Sequence, residues 1–166
     1  MKRRFAIAAL PAGLALVAVI AAGCGGGSQG GATGSGYAAA GSAPAPRAAS
    51  VGTRQTKLCT VLVDGQGRTL YLFEKDKGSA SSCSGACASI WPPLTAAHSV
   101  AGPHVSAATL GSIKRADGKT EVTYAGHPLY TYAGDTKPGD TRGQGLDQFG
   151  AEWYVLAPSG QKIDNG

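Results

Sequence analysis

Methionine is almost missing from this chain: the only one is Met1, so no thioether remains to ligate haem or copper once a leader is removed. Apolar spacing at 3.6 residues is not sustained over any ten-residue window, which excludes long amphipathic helices. There is no G-x-S-x-G, and the Ser, His and Asp residues form no nucleophile constellation. Cys83-x-x-x-Cys87 is followed by Ala88, unlike the C-x-x-C-H of covalent haem. Asp135, Asp140 and Asp147 fall in a Gly-rich loop, but without EF-hand spacing or its terminal Glu they read as turn residues. GQGLDQFG at 143–150 reads as a loop lacking the preceding strand that a dinucleotide fold needs. Charge is scarce too, at 15% of residues. Three of the charges behind the formal +5 are Lys2, Arg3 and Arg4, while Lys57–Gly166 holds ten basic and ten acidic residues. A nucleic-acid partner therefore lacks electrostatic support.

The first 23 residues account for the longest apolar run. Lys2, Arg3 and Arg4 precede FAIAALPAGLALVAVI, and AAG leads into Cys24. This is the plan of a bacterial secretory signal ending at a lipidated cysteine, although Ala21 stands where lipoprotein signals usually carry Leu. The bland reading is an uncleaved anchor, since Phe5 to Ala22 is long enough to span a bilayer. Acyl chains on Cys24 would bind a membrane at roughly 0.8 kcal/mol per buried methylene, and two or more make the attachment stable.

Residues 24–56 are rich in Gly, Ala, Ser and Pro, with one aromatic, Tyr37. Such a stretch buries too little apolar surface to offset its ordering entropy. It reads as a tether spanning on the order of 30 Å.

Residues 57–166 form the predicted domain, as repeats at about 57–110 and 111–160. KLCTVLV at 57–63, DGQG at 64–67 and RTLYLF at 68–73 predict a hairpin. LGSIKR, TEVTY and LYTY, joined by DG and AG turns, predict a three-stranded meander, and WYVLAP at 153–158 a last strand. SGACASIW at 84–91, stopped by Pro92 and Pro93, is the one helical candidate. The predicted fold is mainly β: antiparallel sheets from two tandem repeats, sandwich-like or barrel-like, with at most one short helix.

Nine of the eleven aromatic residues lie between Tyr71 and Tyr154. They occur in a pattern that repeats. Tyr71, Phe73 and Asp76 recur 59 residues later as Tyr130, Tyr132 and Asp135, and each set is followed some twenty residues on by a Trp, Trp91 or Trp153. Strand alternation points Tyr71 and Phe73 one way and Leu70 and Leu72 the other. Neither short hairpin can bury its apolar face alone, so the units are expected to pack their aromatic faces together about a pseudo-twofold axis. Two readings of the motif are open: an aromatic core pair with a turn-locking Asp in each repeat, or an aromatic pocket with carboxylates at its lip, binding a small or cationic ligand.

Apart from Cys24 the chain has Cys59, Cys83 and Cys87, an odd number for an oxidising compartment. Cys83 and Cys87 on one helical turn would lie about 6 Å apart at Cα, within disulfide range. A bridge from Cys59 to either is the competing arrangement. Zinc spacing is a further reading, with His98, His104 or His127 completing the site, but scattered histidines and thiols outside the cytoplasm argue against it.

GRTLYLFEKD, CSGACASIWPPL, RADGKTEVTYAGHPLYTYAGDTKPGDTRGQG and EWYVLAPSG together resemble the bacterial secreted-repeat lipoproteins, the family defined by a Y-x-[FWY]-x-x-D motif. The resemblance covers about Val61 to Gly160 with both copies. It implies a secreted or lipid-anchored tandem repeat and supplies no activity. The sequence therefore predicts a module of the cell envelope, lipid-anchored outside the cytoplasm, that binds an unknown protein or small ligand and needs no cofactor. The alternative is a redox, metal or haem-associated function using Cys83, Cys87 and the histidines.

Overall fold

The computed structural model describes residues 48–78 and 80–164. The signal, Cys24 and Tyr37 lie outside the described residues. Composition misleads at the domain's edge. Ala49–Gln55, assigned above to the tether, is strand β1. It carries one core side chain, Val51, but needs no more, because both of its edges are paired. Strand β2, Thr60–Asp64, runs antiparallel to it with Val51 opposite Asp64, and β4, Ser99–Ala101, runs parallel with Ala49 opposite Ser99.

The predicted turn after β2 forms. Asp64 accepts the Gln66 and Arg68 amides, each at 2.9 Å, and the Arg68 Nε at 2.7 Å, the behaviour expected of a turn aspartate. The hairpin it opens does not continue. After a bridge between Val63 and Thr69, β3 (Tyr71–Phe73) leaves β2 and pairs with β9 (Ala151–Val155), Phe73 opposite Trp153. Between them in sequence, helix α1 spans Ala86–Ile90, inside the stretch that Pro92 and Pro93 close. The meander forms with its third strand shifted: β5 (Leu110–Lys114) and β6 (Thr120–Tyr124) stand as predicted, but β7 is His127–Pro128, within the residues read as turn. LYTY at 129–132 carries only isolated bridges at Tyr130, because its backbone turns to Tyr71 and Pro93. β8, Leu146–Gln148, is a correction, a strand inside the Gly-rich segment read as loop. It turns into β9 through Phe149 and Gly150, both at positive φ (61° and 90°), a turn that glycine eases.

The result is mainly β: three three-stranded sheets, ordered β2-β1-β4, β3-β9-β8 and β5-β6-β7, with no closed barrel among the described residues. Alternation along the strands sorts the interior into two clusters. Val61, Val63, Tyr71 and Phe73 enter the first, with both tryptophans; Leu62, Leu70, Leu72 and Tyr154 enter the second.

The repeats interlock rather than sit side by side. Each ends in a segment that completes the other. Leu94, closing the first repeat, donates its amide to Leu129 O at 2.8 Å and accepts from Val122 N at 2.9 Å; Leu156, closing the second, donates to Leu70 O at 3.4 Å and accepts from Leu62 N at 2.9 Å. The pseudo-twofold passes between Tyr71 and Tyr130, whose amides and carbonyls bond reciprocally at 2.8 and 3.0 Å.

Candidate functional site

The motif residues all meet at this axis. Trp91 and Trp153 stack face to face, 4.0 Å between centroids and 5° between planes. Phe73 extends the stack beyond Trp153 at 3.9 Å, and Tyr132 beyond Trp91 at 4.4 Å. Tyr71 meets Trp91 edge-on at 5.3 Å, and Tyr130 meets Trp153 edge-on at 5.1 Å. Stacked and edge-to-face pairs suit the ring quadrupoles. Tyr71, Tyr130, Trp91 and Trp153 are fully buried. Gly143 lets the second repeat's loop close over these rings: a Cβ there would lie 2.7 Å from Trp91 Cη2 and 3.0 Å from Tyr71 Cε1.

Buried hydroxyls need partners, and here each repeat supplies the other's. Tyr71 donates to Asp135 Oδ2 and Tyr130 to Asp76 Oδ2, each at 2.7 Å. The second oxygen of each carboxylate is held too, Asp135 Oδ1 by the Arg142 amide at 2.9 Å and Asp76 Oδ1 by the Ser82 amide at 2.7 Å. Burial, reinforced by charged carboxylates nearby, raises both tyrosines far above their ordinary range. Burial also raises Asp135, outweighing the Tyr71 hydrogen bond. The tyrosine hydroxyls and the carboxylates thus satisfy one another across the axis.

One polar group on this axis has no counterpart across it. Arg115 Nη1 reaches Glu121 Oε2 at 2.7 Å and Ser81 Oγ, which bonds the Tyr130 hydroxyl at 2.7 Å; its Nη2 donates to Cys83 O at 2.7 Å. Glu121 is fully buried, with Oε1 unpaired. Burial pushes its carboxyl up to about 7 despite Arg115. Sequence reading missed this pair. The available signal was an Arg and a Glu bracketing the ADGK turn, which puts them near each other across a hairpin.

Cys83 and Cys87 are joined, their Cα atoms 5.3 Å apart, and pack in the first cluster beside Trp91. Cys59 is free and partly buried, just before β2, with its Sγ 3.4 Å from Thr60 O. His98, His104 and His127 are exposed on separate segments. Among the described residues no group of three or more His, Cys, Asp or Glu side chains converges as a metal would require. Asp140 accepts the Thr136 and Lys137 amides, each at 3.1 Å.

A hollow of about 470 Å³ is lined by Leu72–Glu74, Asp76, Lys77, His127, Gln161 and Lys162. Two motif residues, Phe73 and Asp76, are among its lining. Among the described residues no helix is long and apolar enough to cross a membrane.

No curated protein and no solved structure matches the chain. A family described as a secreted repeat of unknown function matches it twice, at residues 52–95 and 111–157. These segments cover more than half of the sequence and end just beyond Leu94 and Leu156, the exchanged residues. With both copies matched and both built into one interlocked core, the chain belongs to this family of secreted repeats.

Proposed function

We propose that the protein is a lipid-anchored module outside the cytoplasm, and that it binds a component of the cell envelope through surface its two repeats do not share. The family is secreted, which supports an extracytoplasmic site of action. The basic and apolar leader ahead of Cys24 supports lipidation. One observation carries the binding reading: the motif's hydroxyls and carboxylates satisfy one another inside the core. A duplicated motif committed to scaffolding leaves the unlike surface loops as the places where specificity resides.

Fractionation of cells producing the full chain or its Cys24→Ala variant tests the anchor. The parent stays with membranes until detergent is added, and the variant does not acquire acyl chains. Sedimentation of the purified Cys24→Ala chain, which carries no acyl anchor, with protein-free envelope polymer and with lipid vesicles tests binding. Saturable retention supports the reading; a folded protein that neither carrier retains contradicts it.

A further inference from the structure

The two repeats share a core but differ in their surface loops. In the second repeat the loop following Asp135 closes on the turn at 64–67: Gly139 N donates to Gly67 O at 3.0 Å. Pro138 lies so near that a Cβ on Gly67 would come within 3.1 Å of it. The corresponding turn of the other repeat is Ala125–Gly126, which meets the chain's closing segment instead: a Cβ on Gly160 would run into the Ala125 Cβ, and Tyr124 donates to Pro158 O at 2.7 Å. Beside that turn, His127 joins the residues around Asp76 and Gln161–Lys162 in lining the hollow of about 470 Å³, within the roughly 300–1,000 Å³ range of small-ligand sites.

The groups on its walls are unequally available. Asp76 is held by Tyr130 and by the Ser82 amide and hydroxyl. Glu74 is paired with Lys162 Nζ, which also lies 4.2 Å from the centre of the Tyr154 ring. By contrast, the side chains of Lys77, His127 and Gln161 make no hydrogen bond or ion pair among the described residues. An ammonium, an imidazole and a carboxamide therefore remain uncommitted, while Glu74 is ion-paired and both Asp76 oxygens already accept hydrogen bonds. An ammonium is a donor with no acceptor capacity, and the amide and imidazole can each donate beside it. Anionic oxygen is what such a set recognises, since charge-assisted bonds to it are about twice as strong as neutral ones.

We propose that this hollow binds a carboxylate or phosphate group, held by Lys77 and His127 with Gln161 as a third donor. The proposal rests on the binding reading above and names its ligand chemistry. The anion has two sources, a free small molecule or a repeating unit of an anionic envelope polymer.

Amide-resolved NMR titration of the purified full chain at constant ionic strength distinguishes them. The probes are glycerol 3-phosphate and glucuronate, with uncharged glycerol and glucose as controls, followed by poly(glycerol phosphate) and polygalacturonate. Saturable shifts confined to 72–77, 127 and 161–162 are expected with the charged probes. Lys77→Glu weakens them at least tenfold, and His127→Ala weakens them with the aromatic core signals unmoved. Tighter binding of polymer than monomer per anionic unit assigns the polymer; equal binding assigns the free anion. Equal shifts from the uncharged controls overturn the anionic class and leave the binding reading standing. Saturable shifts that persist in both variants, or none with any charged probe, overturn the site, and the envelope sedimentation then judges the binding reading separately.

Discussion

Tyr71 of the first repeat hydrogen-bonds Asp135 of the second, and Tyr130 of the second hydrogen-bonds Asp76 of the first, both at 2.7 Å. The motif that defines each repeat is completed only in its neighbour. The same exchange holds for the backbone, where Leu94 and Leu156 each enter the other repeat's pairing. Neither repeat is a self-sufficient unit in this arrangement. This explains why the chain carries two.

Removing one hydroxyl tests the scaffold role. Tyr71→Phe leaves a partly buried Asp135 oxygen without its donor, which costs about 1–3 kcal/mol. Urea unfolding should register that loss for Tyr71→Phe and for Tyr130→Phe. Retention by envelope polymer, measured well below the unfolding midpoint, should stay unchanged.

Overpacking the stack tests the closeness of the second loop. Gly143→Ala puts a methyl 2.7 Å from Trp91 Cη2, and strain of this kind costs about 1–3 kcal/mol. Gly52→Ala is the control, since nothing lies within 4 Å of its Cβ position. Thermal unfolding should drop by several degrees for the first and barely move for the second.

Stability should depend on pH through Glu121. Its carboxyl is raised from 4.5 to about 7 by burial, so the folded state binds the proton more tightly than the unfolded chain. The associated stability is fully present below about 4.5 and is lost as pH rises through about 7. At 1.36 kcal/mol per unit the loss is on the order of 3 kcal/mol. Asp135, also raised, adds in the same direction above its ordinary value. Denaturant titrations at pH 5 and pH 8 measure the slope, which Glu121→Gln should flatten.

Reduction of the Cys83–Cys87 bridge should lower stability by roughly 2 kcal/mol, the chain-entropy value for so short a loop. Because Cys83 and Trp91 share one core cluster, tryptophan fluorescence should change with it. Calorimetry with and without reductant, repeated on a Cys83→Ala and Cys87→Ala double variant, checks both effects.

What the sequence disclosed was whatever local alternation controls. Leu70 through Phe73 alternate between clusters as read, the meander from Leu110 to Pro128 follows its DG and AG turns, and the helix stops before Pro92. What it concealed was settled by partners distant in the chain. Ala49–Gln55 looks like tether because its order comes from β2 and β4, not from its own side chains. β3 abandons its hairpin because Trp153 offers Phe73 a stacking face that β2 does not. Tyr71 and Asp76 read naturally as belonging to one turn, and nothing local reveals that each is matched across the axis.

A pair of double-mutant cycles on stability decides between exchange and local pairing. Tyr71→Phe is combined once with Asp135→Asn and once with Asp76→Asn. Interlocked repeats give a coupling energy of about 0.5–3 kcal/mol for Tyr71 with Asp135, and near zero for Tyr71 with Asp76. Coupling of Tyr71 to Asp76, with none to Asp135, would mean that each repeat closes on itself and would contradict the account.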